Sequence, residues 1–149
     1  MDRTGRALRP QFRRGRATDG RGGTRPTAGQ TPGAEQGLGL LVVERRDTGE
    51  FIGYCGLIVG QGTYDEPEIA YELAQRAHGN GYATEAGRVV VEAAARTGRK
   101  RLWATVREWN TASFRVLEKL DFYNSGRVTP DSARGDSIWM TRELDQPLA

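Results

Sequence analysis

The segment that most narrows the possible folds is a glycine-bearing stretch, residues 75–81, that lies between two regular patterns. Before it, residues 68–73 alternate so that Ile69, Tyr71 and Leu73 share one face, as in a half-buried β-strand. After it, residues 82–97 lack proline and repeat small and branched apolar side chains at helical spacing. The chain is therefore predicted to run from a strand through a tight glycine loop directly into a helix.

A loop of this kind predicts a site for a phosphate. It leaves backbone N–H groups unpaired at the helix N-terminus, where the helix dipole adds roughly half a positive charge. Gly79 and Gly81 lack the side chains that would keep a phosphate away from these amides, and Arg76 adds a positive charge. A Walker loop needs Gly-Lys-Ser/Thr, which is absent, and a Rossmann loop needs a third glycine where Thr84 stands. A turn with a purely structural role stays open as the alternative.

The patterns beyond residue 37 predict one α/β (α+β) domain. Strands are predicted at residues 38–45, 51–59, 68–73, 102–106, 122–128 and 137–144, and helices at 82–97 and from 110 onward. The turn Asp47-Thr48-Gly49 joins the first two strands as a hairpin. The order β-β-β-α-β-α-β-β indicates a single mixed, mainly antiparallel sheet with two helices packed on it.

The first 37 residues differ in composition from the rest. They carry eight arginines against three acidic residues, and Met1, Leu8 and Phe12 are their only large apolar side chains. This segment cannot bury enough surface to offset its backbone entropy, so we expect a disordered tail at 1–37 and a domain at 38–149. A weak contact between the basic tail and nucleic acid is one hypothesis. A solvated leader is the other, since arginine outnumbers lysine twenty to two in the whole chain.

Several classes of protein are excluded by simple counts. One cysteine excludes an internal disulfide framework, and one histidine argues against a zinc site, so no metal is expected. The longest aliphatic run, residues 40–43, is far shorter than the ~18 residues that a membrane span needs. No signal-peptide pattern opens the chain. These observations predict a cytoplasmic protein with no membrane contact.

Two motifs resemble one protein family. Residues 76–81 read RAHGNG and resemble the Gln/Arg-x-x-Gly-x-Gly/Ala loop of the GNAT N-acetyltransferases, in the same strand-loop-helix setting. The string from Glu68 to Ala86 resembles the RimJ/RimL-type branch, which acetylates the N-termini of ribosomal proteins. Residues 110–122, which read NTASFRVLEKLDF, are similar to a second motif of that branch. The resemblance covers about residues 38–144.

The resemblance implies an enzyme that uses acetyl-CoA as co-substrate and acetylates a primary amine, with a protein or peptide N-terminus as the expected acceptor. It places the pyrophosphate on the amides of residues 76–84 and the pantetheine along the 68–73 strand, with the thioester in a gap between that strand and 102–106. The implied cofactor-binding residues are Leu73, Arg76, His78, Gly79, Asn80, Gly81, Tyr82, Ala83, Thr84, Asn110 and Ser113.

The chemistry of acyl transfer suggests catalytic roles, since an amine must lose a proton and the departing thiolate gains from a hydrogen-bond donor. Glu68 matches the strand glutamate that serves as base in several members, with Glu72 as the substitute and a solvent-facing carboxylate as the alternative. Ser113 is implied as the group beside the sulfur. Many members place a tyrosine acid where Leu117 stands here. Asn110 and Ser113 would otherwise serve only to cap the second helix.

Two departures from the family pattern bear on function. Asp121 replaces a glycine and would carry some strain if that position needs a positive φ. Relatives begin with a strand and two helices before the first strand found here, so a truncated domain is expected. A catalytically impaired core that binds CoA, or RNA or ribosomes through its basic tail, is the alternative function. A small-molecule amine is the alternative acceptor.

Overall fold

The computed structural model describes residues 37–144. The predicted disorder of the tail therefore concerns residues that lie, except for Gly37, outside the described range. The described elements are β1 (Gly39–Glu44), β2 (Phe51–Ile58), β3 (Glu68–Leu73), α1 (Tyr82–Arg96), β4 (Arg101–Arg107), α2 (Thr111–Lys119), β5 (Tyr123–Thr129) and β6 (Ser137–Glu143), with a short 3-10 helix at Gln75–Ala77. The predicted order of strands and helices is confirmed.

The strands form one six-stranded mixed sheet in the order β1-β2-β3-β4-β6-β5. Only the β3–β4 pair is parallel, so the prediction of a mainly antiparallel sheet is confirmed. The order of elements along the chain did not predict that β6 would lie between β4 and β5. The sheet thus has two antiparallel halves of three strands each, joined along the β3–β4 line.

The two halves are joined at a single register pair, Glu68 with Trp103. The amide of Trp103 donates to the carbonyl of Pro67 at 3.0 Å, as in a regular parallel ladder. No further pair of β3 with β4 follows toward the end of either strand, among the residues described. The strands therefore diverge there and leave a gap, as the resemblance implied.

Small side chains allow α1 to pack closely on the sheet and on α2. The buried residues of α1 are Thr84, Ala86, Gly87, Val90, Val91 and Ala94. A Cβ at Gly87 would lie 2.5 Å from Leu120 Cδ1, so the lack of a side chain admits Leu120. Of the apolar residues that recur at helical spacing, Ala86, Val90 and Ala94 are buried, whereas Ala83, at the helix start, is partly exposed. The helix is thereby fixed with its N-terminus beside the end of β3.

The backbone at Asp121 confirms that this position, where the family motif has glycine, adopts a positive φ. Its φ of 65° lies in the left-handed region, which residues other than glycine rarely adopt. Its nearest cationic partner, Arg142, is 3.9 Å away, and the Asp121 side chain is 81% exposed, so that ion pair contributes little.

We therefore expect Asp121→Gly to stabilise the domain by about 0.5–1 kcal/mol, because glycine removes the steric cost of a left-handed backbone. Thermal unfolding should show a rise in Tm of roughly 2–4 °C for each kcal/mol gained. Asp121→Ala is the matched control. It removes the same carboxylate and keeps a Cβ, and a rise in its Tm would contradict the backbone explanation.

Candidate functional site

The loop before α1 has a backbone conformation that its two glycines make possible. Gly79 and Gly81 have φ values of 80° and 78°, a conformation that other residues adopt only at a cost in energy. Gly81 is the N-cap residue of α1, and no side chain caps that helix end. A Cβ at either glycine would meet nothing within 4 Å, so this side of the loop faces open space.

The amides of residues 79–84 have no hydrogen-bond acceptor within the described part of the chain. The amides on either side are paired, since His78 N donates to Gln75 O at 3.1 Å and Glu85 N donates to Gly81 O at 3.0 Å. The predicted range of residues 76–84 was therefore too wide, because the amides of Ala77 and His78 are occupied within the 3-10 turn. The Asn80 side chain braces the loop from within by donating to the carbonyls of Ala77 and His78. A row of unpaired N–H groups at a helix N-terminus, with no side chain in front of it, fits a pyrophosphate.

Arg76 and His78 tie the loop to the sheet. Arg76 Nε donates to Glu50 Oε1 at 2.7 Å, and its Nη2 donates to the carbonyl of Phe51 at 2.9 Å. His78 Nε2 lies 2.9 Å from the carbonyl oxygen of Leu73. These contacts hold the loop against β2 and β3. Phosphate contact by either side chain stays a prediction.

The edge of β3 that faces the gap offers backbone groups to a ligand. The amide of Ala74 donates to Ile52 O of β2 at 2.8 Å. Because backbone groups alternate in direction along a strand, the amides of Tyr71 and Leu73 point the other way, toward β4. No ladder with β4 forms there, and His78 occupies only the Leu73 carbonyl. An extended chain with amide groups, such as pantetheine, fits this edge.

Glu68 lies buried where β3 and β4 begin to diverge. Its Oε1 accepts hydrogen bonds from both Thr105 N, at 3.1 Å, and Thr105 Oγ1, and its Oε2 accepts one from Gln61 N at 3.1 Å. The side chain thus replaces the carbonyl that Thr105 would meet in a continued ladder. The alternative that Glu68 is a solvent-facing carboxylate is wrong, because Glu68 is only 8% exposed. Glu72, in contrast, is exposed to solvent. The role of Glu68 as base stays a prediction.

The N-terminus of α2 borders the same gap. Asn110 is the N-cap residue, and its Oδ1 accepts a hydrogen bond from Ser113 N at 3.2 Å. The capping role considered for Asn110 is therefore confirmed. Its Nδ2 has no partner among residues 37–144, so it remains able to bind an acceptor group of a ligand. Leu117 is completely buried in the core, and its aliphatic side chain supplies no acid group.

Sequence reasoning missed one contact of this site. Ser113 Oγ lies 2.7 Å from the hydroxyl oxygen of Tyr71, a residue that had been placed only on the apolar face of β3. Burial raises the pKa of Tyr71 to about 12, so the phenol stays protonated at neutral pH. The strand alternation, which turns Tyr71 to the helix side, was the one signal that pointed to α2.

Two other chemistries find no support in the described part of the chain. No group of three or more His, Cys, Asp or Glu side chains could hold a metal ion there. Cys55 is buried, and burial raises its thiol pKa to about 12, so it is not a nucleophile at neutral pH.

No helix between residues 37 and 144 has the length and apolar character of a membrane span.

Comparison with known proteins places these features in a family. A family model described as "Acetyltransferase (GNAT) domain" matches residues 12–123. YkkB of Bacillus subtilis, described as uncharacterized, is 36% identical over 94 residues, which are 62% of this chain and 55% of YkkB. The chain spans about half the length of the curated relatives it matches.

Two of the solved structures that share the fold illustrate the likeness. The structure of yncA from Salmonella typhimurium, with its cofactor acetyl-CoA, is 22% identical with a TM-score of 0.66 and covers 79% of this chain and 71% of its own. The ribosomal-protein-S5-alanine acetyltransferase from Vibrio fischeri is 20% identical with a TM-score of 0.63, covering 72% of this chain and 63% of its own. At these identities the likeness concerns the arrangement of the sheet and the helices.

Proposed function

Because the chain belongs to the GNAT acetyltransferase family, we propose that it transfers acetyl from acetyl-CoA to a primary amine by direct attack within a ternary complex. The observation that carries this proposal is the row of unpaired amides at residues 79–84, which faces open space beside the gap between β3 and β4. The pyrophosphate would bind these amides. The pantetheine would follow β3 past Leu73 and Tyr71, with the amide of Asn110 binding it from the other side.

Acetyl-CoA would supply an acetyl group activated as a thioester. Glu68 would accept, directly or through one water, the proton that the amine loses as the C–N bond forms. Ser113 would donate a hydrogen bond to the CoA sulfur, which leaves as a thiolate with the electron pair of the broken C–S bond. No covalent link to the protein is required, because holding both substrates at the gap supplies much of the rate acceleration.

For the acceptor, we propose the N-terminal amine of a protein or peptide, as in the RimJ/RimL-type branch. The motif in residues 110–122 supports this assignment. The fold shared with an acetyltransferase that acts on ribosomal protein S5 alanine supports it more weakly. Trp109, which is 65% exposed and donates from Nε1 to the carbonyl of Arg134 at 2.8 Å, would form one wall of the acceptor cleft.

Two measurements test the proposed function. Calorimetry should detect acetyl-CoA binding, and an absence of heat at high micromolar ligand would reject the proposal. Incubation with labelled acetyl-CoA and a panel of peptides and small amines should transfer label to peptide N-termini. Label that appears only on small amines would reject the proposed acceptor and keep the acetyl transfer.

An impaired core that binds nucleic acid through residues 1–37 is the second candidate, and the excess of five positive charges on that segment favours it. It would replace the first if no acetyl transfer were detected and if removal of residues 1–37 abolished a salt-sensitive affinity for RNA.

Asn110 provides a test that separates helix capping from ligand binding. Asn110→Asp keeps an oxygen that accepts from Ser113 N but removes the Nδ2 donor, whereas Asn110→Ala removes both. We expect Asn110→Ala to lose about 1 kcal/mol of stability and Asn110→Asp to lose little. Calorimetry should show weaker acetyl-CoA binding in both variants, by about tenfold for one lost hydrogen bond. If Asn110→Asp binds acetyl-CoA with full affinity, the role of Asn110 is limited to capping α2.

A further inference from the structure

Tyr71 and Ser113 form a hydroxyl pair that bridges β3 and α2. Tyr71 Oη lies 2.7 Å from Ser113 Oγ and 3.2 Å from the carbonyl oxygen of Ser113. The two residues are 42 positions apart in sequence, and the pair lies on the helix side of the sheet, next to the gap. Both side chains are half-buried, so the pair is neither a surface contact nor sealed in the core.

Tyr71 has one hydroxyl hydrogen and two acceptors within reach on Ser113, Oγ at 2.7 Å and the carbonyl oxygen at 3.2 Å. Either hydroxyl can donate in the shorter of these contacts. The Ser113 carbonyl lies in the first turn of α2, where the regular helix pattern already supplies it with an N–H donor from Leu117. When Tyr71 donates to Oγ, the serine keeps its own hydrogen for a third partner.

We propose that Tyr71 is a positioning residue for Ser113, because its phenol hydrogen occupies a lone pair of Ser113 Oγ and directs the serine hydrogen to the thioester sulfur. This inference rests on the proposed function. The hydrogen remains on Ser113 throughout, and the electron pair of the broken C–S bond stays on the sulfur, so no further reactant is required. The pair takes the place of the tyrosine acid that is missing where Leu117 stands.

The surroundings of Tyr71 keep the phenol in its donating form. Burial raises the pKa of Tyr71 to about 12. The titratable group that pairs with it across β2 and β3 is Cys55, whose thiol pKa burial also raises to about 12. Both groups are neutral at physiological pH.

Tyr71→Phe tests the proposal because it removes the hydroxyl and keeps the ring. We expect kcat to fall about tenfold, while KM for acetyl-CoA and the calorimetric affinity for CoA stay within about twofold. In a Ser113→Ala background, Tyr71→Phe should change kcat by less than about twofold, since the serine it positions is gone. Tyr54→Phe, an exposed tyrosine on β2, is the matched control and should leave kcat unchanged.

Two further readouts separate positioning of Ser113 from loss of packing. Bound CoA, followed by the ultraviolet absorbance of its thiolate, should ionise at higher pH in Tyr71→Phe than in the unaltered protein, because the thiolate loses its hydrogen-bond donor. With acetyl-seleno-CoA, whose leaving selenolate is a weaker base, the loss of kcat in Tyr71→Phe should shrink to about twofold or less. A purely structural role would change neither.

The outcomes are distinguishable from those of the proposed function. If CoA binds and acetyl transfer occurs, while Tyr71→Phe changes neither kcat nor the ionisation of bound CoA, this inference is overturned and the proposed function stands. Additive losses of kcat in Tyr71→Phe and Ser113→Ala would also overturn it, since the two hydroxyls would then act separately. If the unaltered protein binds no CoA, both proposals are wrong.

Discussion

Replacing Gly81 with leucine should reduce the affinity for acetyl-CoA by at least about a hundredfold. The leucine side chain would fill the open space in front of the amides of residues 79–84, because a Cβ added at Gly81 has no other atom within 4 Å. Loss of two charge-assisted hydrogen bonds to phosphate, at about 1.5–3 kcal/mol each, is enough for this effect. Calorimetry with acetyl-CoA measures it directly.

The control for this substitution lies at the other end of the same helix. Gly98 has φ 82° and also has open space around its Cβ position, so Gly98→Leu carries the same backbone strain of about 1–2 kcal/mol. We expect the two variants to lose similar stability in thermal unfolding, while Gly98→Leu keeps full affinity. If Gly81→Leu still binds acetyl-CoA normally, the loop is an ordinary turn and the pyrophosphate site is elsewhere.

Replacing Glu68 should produce the largest loss of stability among the site residues. Glu68→Ala would leave the partly buried amide of Thr105 and the amide of Gln61 without their acceptor. An unsatisfied buried donor costs about 1–3 kcal/mol and a partly buried one costs less, so we expect a total loss of about 2–3 kcal/mol. Chemical denaturation should show this as a lower midpoint.

Glu68→Gln separates the structural role of this side chain from its proposed role as base. The glutamine amide keeps the size of the carboxylate and one of its oxygens, so we expect a smaller loss of stability, about 1–2 kcal/mol. Some loss remains because the new NH2 group faces one of the donors that the carboxylate accepted from. Since an amide does not accept the proton of the amine, kcat should fall by about a hundredfold or more. Glu72→Gln, an exposed position on the same strand, should change stability by less than about 0.5 kcal/mol. A Glu68→Gln variant with full kcat would leave Glu68 a structural role only.

The features that local sequence patterns predicted are those that depend on near neighbours in the chain. Alternation predicted β3, helical spacing predicted α1, and the glycine positions predicted the tight loop in which Gly79 and Gly81 have positive φ. Even the strain at Asp121 followed from a single substitution within a motif. In each case the free energy that decides the conformation comes from residues within a few positions.

The features that were missed depend on partners far along the chain. Arg76 meets Glu50 from 26 positions away, and Tyr71 meets Ser113 across 42. The burial of Glu68 depends on Thr105, because the strands diverge there and leave an amide in need of an acceptor. No periodicity in the sequence predicts such contacts, because the partners of long polar side chains depend on how the sheet and the helices pack.

The single register pair between β3 and β4 makes the sheet two ribbons fastened at one point. Separating β3 from β4 breaks few backbone hydrogen bonds, so we expect local opening of the folded domain to occur most readily there. A ligand bound between the two strands, in contact with both β3 and the start of α2, would oppose this opening. The free energy of unfolding should then rise with the logarithm of the ligand concentration.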